Sequence, residues 1–163
     1  MRRLVGLTVL VFSLAVPTVA LPFAADTDDG TLSVKAGIGR VNLNFNGAVV
    51  GRLGHGRIVA TDPFPFDGSG VDLWGCEKLR NPSDQTTVCS GNDIRFRAIG
   101  GRYQISIRGS GISLSLVGHG TAGLEGRTGN EGGSDGVYSL NDNLYRSLPS
   151  VPTTFDLIAP PGS

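Results

Sequence analysis

The chain has little of almost everything that announces a function. Its 163 residues include two cysteines, two histidines, one methionine and one tryptophan, and aromatics make up only 7%. Cys76 and Cys89 are far from a Cys-x-x-Cys spacing, which excludes a thioredoxin-like redox pair. With so few rings, a core has to be assembled mainly from Val, Ile, Leu and Phe. Charge of one sign is missing too: fourteen basic side chains face fourteen acidic ones. Nucleic-acid binding rests on a clear basic excess, so no nucleic-acid partner is expected. Past residue 20 no apolar run is long enough to span a bilayer as a helix, and no 3.6-residue apolar period or dividing linker occurs.

What is present begins with an export signal. Arg2 and Arg3 precede an apolar run from Leu4 to Val16, followed by Pro17 and a small-residue cleavage site ending at Ala20. The run is too short for a membrane anchor, which takes roughly 20 apolar residues. No Cys near the site could take a lipid, and Ala159-Pro160-Pro161-Gly162-Ser163 carries no apolar tail. The expected organisation is a helical signal peptide at 1–20, a disordered acidic leader at 21–30, one β domain at 31–158 and a tail at 159–163. The product is expected to be soluble, off the membrane after cleavage, and secreted or retained in the periplasm or cell envelope. About 143 residues then remain, enough to bury ~68–70% of the unfolded surface. In an oxidising compartment Cys76 and Cys89 are expected to form a disulfide, which for a loop of this size stabilises by ~3 kcal/mol.

From Leu32 onward, apolar residues alternate with polar ones at the period of a strand with one buried face. Leu32, Val34 and Ala36 form one such series, and Val41, Leu43 and Phe45 another. Asn46-Gly47 carries the type I′ hairpin signal and would set Phe45 against Ala48. Leu53 and Ile58 fall on opposite parity, which implies a bulge. Between Asn92 and Val117, two-residue turns at Gly100-Gly101 and Gly109-Ser110 would oppose Ala98 to Tyr103 and Ile107 to Ile112, putting Ile94, Phe96, Ile105, Leu114 and Leu116 on one face. A polar loop from Arg127 to Gly136, a hairpin around Asn141-Asp142-Asn143 and a last strand through Phe155 and Leu157 complete the chain. Twenty-five glycines without a Gly-X-Y period point to tight turns. The expected fold is all-β: a single antiparallel β-sandwich or closed β-barrel with meander hairpins.

Chemistry-bearing patterns are weak. Gly118-His119-Gly120-Thr121-Ala122-Gly123 matches G-x-G-x-x-G, but Leu124-Glu125-Gly126-Arg127-Thr128-Gly129 cannot form the helix whose N-terminus would face a pyrophosphate. Asp26-Thr27-Asp28-Asp29-Gly30 resembles the start of a calcium loop, yet Gly37 stands where the bidentate Glu belongs. His55 and His119 each sit in Gly-His-Gly; they are metal-ligand candidates only if their turns converge, and flanking glycines serve a bend equally well. No catalytic residue, metal or cofactor is assigned. Arg95 and Arg97, with Gln104 and Ser106 opposite in the meander, would form a cationic hydrogen-bonding patch suited to carboxylates, phosphates or sulfated sugars. Phe64 and Phe66, on a proline-stiffened loop close to Trp74, form a second contact surface or else close the end of the fold. The sequence favours a non-catalytic secreted domain that binds envelope polysaccharide or protein; the alternatives are a small extracellular hydrolase and a self-associating matrix or coat protein.

Overall fold

The computed structural model describes residues 28–127 and 135–159. The expected signal peptide at 1–20, residues 21–27 of the expected leader, residues 128–134 of the polar loop and the tail from 160 lie outside the described residues. Every regular element described is a strand and every pairing is antiparallel. The strands are β1 (Gly30–Thr61), β2 (Val71–Trp74), β3 (Lys78–Ser83), β4 (Thr86–Gly126), β5 (Val137–Leu140), β6 (Arg146–Ser147) and β7 (Thr153–Leu157).

β1 and β4 dominate, and β4 pairs with β1 along both of its edges. Leu43 and Ala60, seventeen residues apart on β1, both sit opposite Ile105. At ~3.3 Å per residue the strand travels about 56 Å between those positions, yet they lie only two strand spacings, about 10 Å, apart. The two strands therefore coil around a common interior, each returning beside itself with the other between. The remaining short strands extend this coil at its edges. One wall runs Leu79–Cys89–Ile58–Ile107–Val41–Leu124–Thr153 across β3, β4, β1, β4, β1, β4 and β7. The opposite wall runs Leu73–Phe96–Gly51–Leu114–Val34–Tyr138–Arg146 across β2, β4, β1, β4, β1, β5 and β6.

Glycine makes the walls possible. Gly101, Gly47, Gly118 and Gly30 are cross-strand neighbours in one row, and Gly91, Gly56, Gly109, Gly39 and Gly126 in another. Along β1 these glycines recur every eight or nine residues, half of the seventeen-residue repeat, so each row is a line where the sheet bends from one wall to the other. Strands meet so closely there that a Cβ on Gly109 would strike the His55 carbonyl, and one on Gly47, at φ 147°, the Val117 carbonyl. Between the walls the inward positions form one core. Leu43, Phe45, Ile58, Tyr103, Ile105 and Ile107 come from the first wall; Leu32, Leu53, Ile94, Phe96, Ile112 and Leu116 come from the second. Phe45 and Tyr103 pack at 5.8 Å between centroids, and the Tyr103 hydroxyl donates to the Ile99 carbonyl at 3.0 Å.

The expected burial of residues 94–116 is found, but the hairpins are not. Asn46-Gly47, Gly100-Gly101 and Gly109-Ser110 all lie inside continuous strands: Phe45 faces Tyr103 and Gly120, not Ala48, while Ala98 faces Val49 and Ile107 faces Val41 and Ile58. The parity changes that suggested turns are made by irregular single residues. Gly101 pairs with Gly47 and Ile99 with Ala48, which leaves Gly100 unpaired at φ 75°; Gly111, at φ 68°, is skipped in the same way between Ser110 and Ile112. Ala36 belongs to this set and not to the core, exposed at φ 52°. A genuine hairpin joins β5 to β6, with Asn141 and Asp142 both at positive φ. The Cys76–Cys89 disulfide is formed, tying the crossing between edge strands β2 and β3 to the fully buried Cys89 of β4.

Candidate functional site

Inward and outward side chains alternate, so the outer face of the second wall is composed entirely by register. β2 lies at that wall's edge, and its Trp74 stands opposite Arg95, which stands opposite Arg52. In the next row Asp72 faces Arg97 and Arg97 faces Val50; in the row beyond, Ile99 faces Ala48 and Ala48 faces Val117. Cross-strand neighbours share a face at Cβ separations of about 5 Å, so these side chains form one contiguous surface. Its large apolar members are held in water: Val50 is 56% exposed, Trp74 51%, Ile99 39% and Val117 37%. Asp72 pairs with Arg97 at 3.4 Å with both side chains half exposed, so the pair contributes only a few tenths of a kcal/mol. Arg52 and Arg95 face each other as like charges, which costs the fold a comparable amount.

The predicted residues are thus partly united and partly separated. Trp74, which the sequence groups with Phe64 and Phe66, stands directly opposite Arg95 and one row from Arg97. Gln104 does not join them: it faces Asn44 and Thr61 on the outer surface of the first wall, beyond the Gly100–Gly101 bend. The hairpin that would have placed Gln104 and Ser106 beside the arginines does not exist, so that patch is replaced by one in which Arg52, Val50, Ile99 and Val117 take their place. Those four were missed because their proximity depends on β1 lying between two passes of β4. Phe64 and Phe66 are exposed, Phe66 at 92%, on a loop braced from within. The Phe64 amide donates to Asp62 Oδ1 at 2.9 Å, and the Gln85 side-chain amide donates to the Pro63 carbonyl at 3.2 Å. The Ser69 hydroxyl and amide both donate to Asp67, which holds the Asp67 carboxyl below its ordinary range.

The histidines stand apart. His55 is beside Gly56 in one glycine row and His119 beside Gly118 in the other. His55 Nδ1 is 2.8 Å from Asn92 Oδ1, and the Asn92 amide donates to Glu77 at 2.6 Å; His119 Nδ1 is 3.1 Å from Asp29. Among the described residues no three His, Cys, Asp or Glu side chains are grouped closely enough to hold a metal. The described end of the acidic leader is tied to the fold: Asp29 meets His119, and the Asp28 carbonyl accepts from the Ala159 amide at 3.0 Å.

Fold and surface define an antiparallel all-β domain, disulfide-tied, with a tryptophan and arginines displayed on one outer wall. The chain matches no family model, no curated protein and no solved structure.

Proposed function

We propose that this is an exported, non-catalytic β domain that binds an extracellular or cell-envelope protein through the outer face carrying Trp74, Arg52, Arg95 and Arg97. In this reading residues 1–20 direct export and are removed after Ala20, and the wrapped sheet is a flattened, closed barrel. The disulfide is compatible with an oxidising compartment, and the double register of β1 supports closure. The observation that carries the functional reading is the half-exposed Trp74 directly beside Arg95, with Arg52 on the next strand and exposed aliphatic side chains in the neighbouring rows. Tryptophan and arginine dominate binding energy at protein interfaces, and an apolar centre edged by guanidinium groups suits a partner with an acidic rim.

Trp74 is the only tryptophan in the chain, so its emission reports this surface directly. The exported protein, expected to begin at Leu21, should show a water-exposed Trp spectrum that shifts to shorter wavelength when washed envelope fragments are titrated in. Trp74→Ala with Arg95→Ala should weaken retention by those fragments by roughly 30-fold or more, as for a pair of hot-spot residues. An unchanged spectrum together with undiminished retention of the double variant would refute this assignment.

A further inference from the structure

The outer face of the first wall carries a different constellation. Arg40, Arg108 and Arg57 stand directly opposite one another on three successive passes of β1 and β4, and the row continues through Ser90 to Lys78 of β3. Adjacent strands are about 4.8 Å apart, so the three guanidinium stems recur at that interval across the strands. Like charges placed directly opposite are unfavourable, and two such contacts are adjacent here. Among the described residues a single acid answers them: Glu125, 3.4 Å from Arg40 at the outer end of the row, while Arg108 and Arg57 make no ion pair. A recess of about 290 Å³ opens at this end, lined by Arg40, Arg108, Glu125 and Arg127 along the glycine bend.

One residue pair further along the same strands the character changes from cationic to neutral and hydrogen-bonding. A shallow hollow of about 500 Å³ is lined by Asn42, Asn44, Gln104, Ser106, Thr121 and Thr154. Ser106 donates to Asn42 at 2.8 Å, the Thr61 and Thr86 hydroxyls bond at 3.3 Å, and Asn42, Asn44, Gln104, Ser106 and Thr154 are exposed. No aromatic side chain stands in these rows, whereas unspecific binding of single-stranded nucleic acid relies on aromatic stacking platforms. Regularly spaced guanidinium groups suit carboxylates, and a bordering field of amides and hydroxyls suits sugar hydroxyls.

We propose that the first wall is a second binding site, for a linear polysaccharide bearing carboxylates on successive sugars, laid across the strands with its acid groups on Arg40, Arg108 and Arg57 and its hydroxyls over the bordering Asn42 and Ser106. This site is separate from the Trp74 surface and stands or falls independently of it.

The test is affinity electrophoresis and calorimetry of the exported protein with polygalacturonate, neutral dextran, inorganic polyphosphate and a single-stranded DNA oligomer. Polygalacturonate should bind and dextran should not. Arg57→Gln with Arg108→Gln should weaken polygalacturonate binding about tenfold or more and flatten its salt dependence by about two counterions. Asn42→Ala with Ser106→Ala should weaken polygalacturonate but leave polyphosphate unchanged. Arg95→Gln with Arg97→Gln, on the other wall, should weaken retention by envelope fragments while polygalacturonate binding stays as in wild type, so failure of the Trp74 reading is told apart from failure of this one. Arg108→Glu provides the fold control: placed between Arg57 and Arg40 it should keep or raise the melting temperature while abolishing binding. Tighter binding of polyphosphate or DNA than of polygalacturonate overturns the polysaccharide assignment, and full affinity in the Arg57/Arg108 variant overturns the site.

Discussion

At the scale of single residues, the loop from Asp62 to Gly70 shows how local chemistry sets a conformation without a core. Asp67 accepts from both the hydroxyl and the amide of Ser69, and these bonds favour its ionised form. A carboxyl lowered in this way supports the folded turn fully above its ordinary range, and that support is lost as the pH falls through the lowered value. An NMR titration should therefore place Asp67 below an ordinary aspartate, and Ser69→Ala should move it back up. A midpoint that ignores Ser69→Ala would mean the turn is held by something else. A proline-stiffened loop was legible in the sequence, and the Asx turn that closes it at Asp67 and Ser69 is local by nature. The exposure of Phe66 was not, because whether a loop ring points inward depends on the wall beneath it.

At the scale of elements, burial was legible and connection was not. A two-residue hairpin and a one-residue bulge leave the same trace, an apolar series that resumes five residues on: Ala98 to Tyr103, or Ile107 to Ile112. Both devices reverse parity while keeping every apolar side chain on the buried side. What separates them is whether the chain reverses, and that is decided by partners far away in sequence. The bends arise from the same contacts, which gives a test on one glycine row. Gly109→Ala forces a Cβ against the His55 carbonyl at φ 155°, so it should destabilise by roughly 2–4 kcal/mol. Gly70→Ala has open space and should stay within about 0.5 kcal/mol of wild type. Denaturant midpoints compare the two directly, and equal midpoints would mean that the rows are not structural corners.

At the scale of the whole molecule, the coil of β1 and β4 has its ends finished by short strands, with Cys76–Cys89 fastening one of them. The disulfide spans a separation of thirteen residues, and removing it with Cys76→Ser and Cys89→Ser should cost about 3 kcal/mol in the chain-entropy account. The loss should appear in the urea midpoint, and a double variant as stable as wild type would show that the crossing is held by the β2 and β3 pairings alone. The exposed edges are short, four residues in β2 and two in β6, and β3 carries Pro82, an arrangement that discourages pairing between chains. The sequence alone determined the all-β class, the identity of most core residues and the disulfide partners, because alternation, β-propensity and a lone pair of thiols are properties of neighbouring positions. Which outward residues meet was settled only by the tertiary structure. The seventeen-residue repeat brings Arg40 and Arg57 to either side of Arg108, and a second pass of β4 carries Gln104 away from Arg95, through pairings between strands distant in the chain whose register no local pattern records.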